Sequence, residues 1–178
     1  KALGIPFHNL DLSEYFRKTV IDYFIREYEA GRTPNPCVFC NRTVKFGAMW
    51  DAARALGADY LATGHYANAA RNPATGRYHL RRGADRIKDQ SYFLCRLTQE
   101  QLSRTLFPLG GLTKPKIRAL AEANGLITAQ KRDSQDICFV PDGDYAGFIA
   151  RCVGHASQTG FFLDQNGHIL GRHKGFIR

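Results

Sequence analysis

Two cysteines stand three positions apart in GRTPNPCVFCNRTVKFG, residues 31–47, and such a pair can hold a metal, close a disulfide or carry out a reaction. A structural zinc site needs four ligands, usually with a second pair at short spacing, and Cys95, Cys138 and Cys152 are each isolated. A thioredoxin-type pair would open a helix directly after a strand. Here the two X-Pro steps of TPNP read as a loop that holds Cys37 away from helix. Cys40 is expected at the start of the helix that follows, with Arg42 and Lys45 close behind it. A helix start and neighbouring cations both favour thiolate over thiol, and the thiolate is the nucleophile. Cys40 is therefore the candidate reactive residue.

A reactive thiol needs a partner. KRDSQDICF places Cys138 in an expected strand whose flanking charges do not suit a plain core strand. The competing reading is a small buried hydrophobe, the common fate of a cysteine outside a disulfide. Gly64-His65 closes the apolar run DYLAT, and Lys88-Asp89-Gln90 precedes the aromatic run SYFL. Taken alone, each is a weak signal, since a lone histidine is more often structural and a KDQ triplet is usually a solvated turn.

The elements that must position these residues alternate. Phe7–Leu12 reads as a strand, and Ser13 as the cap of a helix whose Phe16, Val20, Ile21, Phe24 and Tyr28 recur at helical spacing up to Gly31. Phe46, Met49, Trp50, Ala53 and Leu56 mark a second helix closed by Gly57, and Asp59–Thr63 reads as a buried strand. A hairpin is expected around Asn72–Gly76, helices after Thr98 and Thr113, and a further hairpin around Asn166-Gly167. This order predicts an α/β fold with a parallel sheet, whose ligands lie beyond the carboxyl ends of the strands. KALGIP has the character of a helix tail, and the last hairpin stops short of a sheet, so the chain reads as an internal piece of a longer protein.

Composition sets the bounds. The 178 residues are 44% apolar, enough for one domain or one domain and part of another, and too apolar for a disordered chain. No run is long enough to span a bilayer and no signal peptide is recognisable, so a cytoplasmic location without membrane contact is expected. Five cysteines, an odd number, do not read as a secreted disulfide framework. The formal charge of +9 favours a polyanionic partner such as nucleic acid, with simple solubility as the alternative.

In order along the chain, GRTPNPCVFCNRTVKFG, TGHYA, KDQSYFL, LFPLGGLTKPKIRALA and KRDSQDICF resemble segments of the tRNA-specific 2-thiouridylases. The resemblance runs from Gly4 to Gly175. It implies a parallel-sheet ATP pyrophosphatase domain of Rossmann-like, adenine-nucleotide hydrolase type over residues 1–140, and the start of a small β-rich central domain over 141–178. It also implies ATP-dependent 2-thiolation of the wobble uridine of tRNA by a sulfurtransferase. ATP, with Mg2+, would be the cofactor, and no tightly bound metal is expected. The partners would be tRNA and a sulfur-donating cysteine desulfurase or relay protein.

Site roles follow from the same resemblance. Cys40 matches the nucleophile, Cys138 the carrier of a persulfide, and Gly64 a nucleotide contact. Asn35, Pro36, Cys37, His65, Lys88, Asp89 and Gln90 match tRNA contacts. Some members carry Asp where this chain has Cys37, so an acid-base role proposed for that Asp does not transfer. The family's phosphate loop and its β-barrel are expected outside residues 1–178, and the piece alone is expected to be inactive. Two alternatives remain at this stage. Another ATP pyrophosphatase, amidating an adenylated small molecule, would have no use for Cys40 and Cys138. A basic zinc or RNA-binding module would bind stoichiometric zinc.

Overall fold

Glycine ends the helices where the sequence places the stops, because Gly31 and Gly57 take φ of +71° and +88°, a region that side chains with a Cβ avoid. The computed structural model describes residues 4–130, 136–155 and 158–175. The expected helix tail at Lys1–Leu3 lies outside them. The chain divides into two compact units, one of residues 1–20 with 37–132 and one of residues 21–36 with 133–178.

The first unit holds α1 (Ser13–Phe16), a helical stretch Asn41–Ala48 wound with π-type hydrogen bonds, and α4 (Met49–Ala55) after it. Its strands are β1 (Leu61–Ala62), β2 (Ala67–Arg71), β3 (Tyr78–Arg82) and β4 (Thr105–Leu106). β1 and β4 pair in parallel, and β2 and β3 form the expected antiparallel hairpin around Asn72–Gly76. Asn72 accepts the backbone N–H groups of Ala74 and Thr75, the local bond that makes asparagine a turn residue. The core gathers Phe46, Ala67 and Leu94, flanked by Leu61, Leu80, Leu97 and Phe107. α5 (Gln99–Ser103) starts with a full capping box between Thr98 and Gln101, and α6 (Lys114–Ala123) follows Thr113.

The second unit holds α2 (Asp22–Glu29), α7 (Tyr145–Val153) and the hairpin β5 (Gly160–Leu163) with β6 (Ile169–His173). Phe24, Ile25 and Ile149 form its core, and an edge-to-face aromatic group of Phe24, Tyr28, Phe139 and Phe148 surrounds it. Phe24, fully buried, contributes about 1.5–3 kcal/mol through the apolar area it removes from water, and the half-buried rings around it less. The turn at Asn166-Gly167 is as expected, with Gly167 at φ +86° and Asp164 accepting from Asn166 and His168.

Four expectations need correction. Residues 7–12 form no strand, since among the described residues nothing pairs with them, and Phe7 stays exposed. Ser13 is the first helical residue and not the cap; Leu12 stands at the cap position and the Asp11 carboxylate accepts the Ser13 N–H. The strand of DYLAT shrinks to Leu61–Ala62 and is half-buried to exposed. The cysteine segment is helix and not loop: α3 runs Pro36–Cys40 and continues into the π-wound stretch. Proline is well tolerated at the first helical position, where its missing N–H would be unpaired in any case.

Candidate functional site

Pro36 opens α3, so Cys37 and Cys40 fall one turn apart on the same helix, and both are half-buried. The amides left open at a helix start belong to the first turn, where Cys37 sits. Cys40 closes that turn. The helix-start argument for a thiolate at Cys40 is thus overturned, and what remains of it is the cationic pair Arg42 and Lys45.

Asn41, next to Cys40, is 3% exposed. Its amide donates to the Cys37 carbonyl at 3.0 Å and to the Phe93 carbonyl at 3.3 Å. Phe93 lies in the 3₁₀ turn Ser91–Leu94, directly after Lys88-Asp89-Gln90. Gln101, from α5, donates to the carbonyls of Arg42 (3.1 Å) and Phe46 (2.6 Å) along the π-wound stretch. Its side-chain oxygen accepts from the Thr98 N–H at the same time.

Lys88-Asp89-Gln90 is fixed in a stapled loop. Asp89 accepts from the Gly83 N–H (2.8 Å) and from the Ser91 hydroxyl (2.7 Å). Burial works against the Asp89 charge, but the Ser91 and Gly83 bonds outweigh it and hold the carboxyl below its ordinary range. Asp85 accepts the N–H groups of Ile87 and Lys88, and its other oxygen takes the Lys114 N–H. Gln90 pairs with Tyr66 in both directions, N–H to side-chain oxygen at 3.1 Å and N–H to carbonyl at 2.9 Å.

Tyr66 follows Gly64-His65 at the carboxyl end of β1. Gly64 is exposed, and a Cβ there would meet only the Leu109 side chain, at 3.6 Å. His65 is 8% exposed, between the rings of Phe46 and Phe107, with Nδ1 2.9 Å from the Thr63 hydroxyl. Burial first, and Lys45 second, push its pKa down to about 4. Three separate segments of the sequence therefore meet in the first unit: Cys37 and Cys40, Gly64-His65, and Lys88–Gln90.

The second unit holds the other candidates. Asn35 is half-buried and Pro36 buried. Cys138 is not in a strand but in a turn closed by the Val140 N–H to the Ile137 carbonyl at 2.9 Å, and it is exposed. Its neighbours Ile137 and Phe139 pack on the core of Phe24, Ile25 and Ile149. The buried-hydrophobe reading therefore belongs to those neighbours and not to the thiol. The Tyr145 hydroxyl donates to the Asp136 carboxylate, tying the turn to α7, and with the Ile137 N–H lowers the Asp136 pKa. Residues 131–135 of the KRDSQDICF segment lie outside the described residues.

Sequence reasoning passed over Asn41, Gln101 and α7. The T-x-x-Q capping box at Thr98–Gln101 was a readable signal, as was Asp144 capping an apolar run that ends in Gly154. Nothing local announced the bonds of Asn41. Among the described residues no three His, Cys, Asp or Glu side chains gather as a metal cluster, and no helix is long and apolar enough to cross a membrane.

Residues 1–142 match the family model described as the tRNA methyl transferase HUP domain. The chain is 55% identical over 174 residues to the tRNA-specific 2-thiouridylase MnmA of Heliobacterium modesticaldum, covering 97% of this chain and 45% of that protein. It is 54% identical to tRNA-specific 2-thiouridylase MnmA 1 of Caldanaerobacter subterraneus, covering 99% and 49%, and 53% identical to MnmA of Geotalea uraniireducens, covering 100% and 47%. The chain spans about half the length of the curated relatives it matches. The parallel pairing of β1 with β4 and the flanking helices agree with the Rossmann-like α/β character of a HUP domain. The resemblance carried by the cysteine segments and the match over 142 of 178 residues reach the same result: the chain belongs to the tRNA methyl transferase HUP domain family.

Proposed function

We propose that this chain is part of a tRNA-uridine 2-sulfurtransferase that replaces O2 of the wobble uridine with sulfur in an ATP-dependent reaction. The observation that carries the reading is the meeting of Cys40, Gly64-His65 and Lys88–Gln90 in one neighbourhood, linked by the Asn41–Phe93 and Gln90–Tyr66 bonds. The names of the relatives support the same substrate class. Residues 1–140 are assigned to the catalytic domain and 141–178 to the start of a central domain, in a cytoplasmic protein.

Uridine O2 is a poor leaving group, and ATP with Mg2+ supplies an adenylyl group that turns it into a good one. Gly64, exposed at the carboxyl end of β1, suits a close backbone contact with a nucleotide. Asn35, Pro36, Cys37, Lys88, Asp89 and Gln90 are assigned to the tRNA. His65 is neutral at pH 7 and would shape the pocket as an uncharged ring.

A wobble base lies in a single-stranded loop and leaves its stack at little cost, the usual way RNA bases are read. Cys138 carries the incoming sulfur as a persulfide, delivered by a cysteine desulfurase or relay protein. The Cys40 thiolate attacks the Cys138 sulfur; the Cys40–Cys138 bond forms, the bond to the outer sulfur breaks, and hydrosulfide leaves to attack C2 of the adenylated uridine, whose C2–O2 bond breaks as AMP departs. An external thiol reductant then returns two electrons to the disulfide. That bond requires the two Cα atoms to come within about 7 Å.

The test is 2-thiouridine content, measured by mass spectrometry of digested tRNA, with full-length protein. Cys40→Ser and Cys138→Ser should each lose product by at least about 100-fold, the scale of removing a group that acts in the reaction. Cys37→Ser should retain much of it. Product at the wild-type level in either of the first two variants would sink the reading.

A further inference from the structure

The helix that carries Cys40 is wound with π-type bonds right after the thiol, over Asn41–Ala48, a winding that recurs at functional sites. Two side-chain amides tie this helix to its surroundings through main-chain carbonyls. Asn41 spends both N–H donors, one on Cys37 in its own helix and one on Phe93 across the site. The reverse orientation of that amide would set an oxygen against two carbonyl oxygens. Gln101 reaches across from α5 to the Arg42 and Phe46 carbonyls. Gly47 fits the same winding: a Cβ there would stand 3.2 Å from the Arg42 carbonyl.

Stability alone does not account for Asn41. Its two hydrogen bonds are offset by a side-chain oxygen that is buried with no hydrogen-bond partner among the described residues. A buried unmatched acceptor costs about as much as two such bonds return, so the balance is close to zero. An apolar side chain of the same size would serve packing as well. What the amide adds is a fixed distance between the Cys37–Cys40 turn and the segment Lys88–Phe93.

We infer that Asn41 and Gln101 are positioning residues, which lock the π-wound helix against Phe93 and α5 and so set where the Cys40 thiol stands when it attacks the incoming persulfide. The inference rests on the reading of Cys40 as the sulfur-handling nucleophile. It goes beyond it in assigning the geometry of that thiol to two amides that touch no substrate. Displacing a reacting group by about 1 Å can cost on the order of 100-fold in rate.

The experiment uses full-length protein with Asn41→Leu and Gln101→Met, which keep size and remove the donors. Two quantities are read: the rate of Cys40 alkylation by iodoacetamide, followed by peptide mass spectrometry, and kcat and KM for tRNA thiolation. Each variant should melt cooperatively. Cys40 should be alkylated at least threefold faster, as the loosened turn exposes it, and kcat should fall at least tenfold with KM for tRNA within threefold of wild type. A folded variant that misses any of these thresholds overturns the inference. Loss of folding in both variants also overturns it, because the amides would then be holding up the domain and not placing one thiol. If the wild-type protein makes no 2-thiouridine, the functional reading fails, while the alkylation rates still report whether the amides hold Cys40.

Discussion

His65 shows what the core does to a titratable ring. With Phe46 and Phe107 around it and Lys45 nearby, its protonated form is disfavoured and its pKa falls from 6.5 to about 4. Between those values the unfolded chain binds a proton that the folded chain refuses, so stability rises with pH across the window and is lost as pH falls through it. Going from pH 6.5 to 4.5, the wild type should lose on the order of 2–3 kcal/mol more than His65→Phe, which keeps a ring and removes the titration. Urea unfolding midpoints measured across that range decide it, and parallel curves would refute the burial argument. The depressed carboxyls of Asp85, Asp89 and Asp136 act lower, because their contribution is lost only as pH falls below about 3.8. Which residues are candidates for chemistry was partly legible at this scale: Cys40 and Cys138 stood out by type and neighbours, and His65 only through the family resemblance. Which residues hold them was not, because Asn41 finds Phe93 fifty-two positions away, and no local pattern encodes that bond.

The hairpins, set by local turn chemistry, were read correctly, while the strand at 7–12, the Ser13 cap and the loop at Pro36 were not. The two hairpins rest on turn residues that bond within a few positions, as Asn72 and Asp164 do. The segment 7–12 has the pattern of a strand, but a strand exists only through its neighbour. Pro36 was read as a breaker when it sits at the one helical position that suits it. The LFPLGG segment shows how close packing, unlike turn chemistry, escapes the sequence. Asn68 donates to the Gly110 carbonyl at 3.0 Å, and a Cβ on Gly110 would lie 1.9 Å from the Ala67 carbonyl oxygen. At Gly111 a Cβ would meet nothing within 4 Å. Gly110→Ala should therefore cost about 3 kcal/mol, the upper end for overpacking, since main chain must move. Gly111→Ala should stay within about 0.5 kcal/mol of wild type. Urea midpoints of the two variants should differ clearly; equal midpoints would show that β2 yields easily and that Gly110 is not a packing point.

At the scale of the whole molecule, the charge of +9 can mean either a polyanion partner or mere solubility, and salt distinguishes them. Arg77, Arg81 and Arg82 on and beside β3, and Arg86 in the loop after it, are all exposed, so cations are available to phosphates near the segment Lys88–Gln90. Each phosphate neutralised releases condensed counterions, which makes log affinity fall linearly with log salt. If about five phosphates are met, the slope should be about −3.5 to −4.5. Replacing one contacting arginine by glutamine should make the slope shallower by about one. The measurement is tRNA binding by full-length protein from 50 to 300 mM salt, repeated with Arg81→Gln. A steep line that becomes shallower in the variant assigns part of the phosphate contact to the β2–β3 hairpin. A slope near zero in the wild type would leave the basic charge with solubility as its only role and remove the electrostatic support for an RNA substrate.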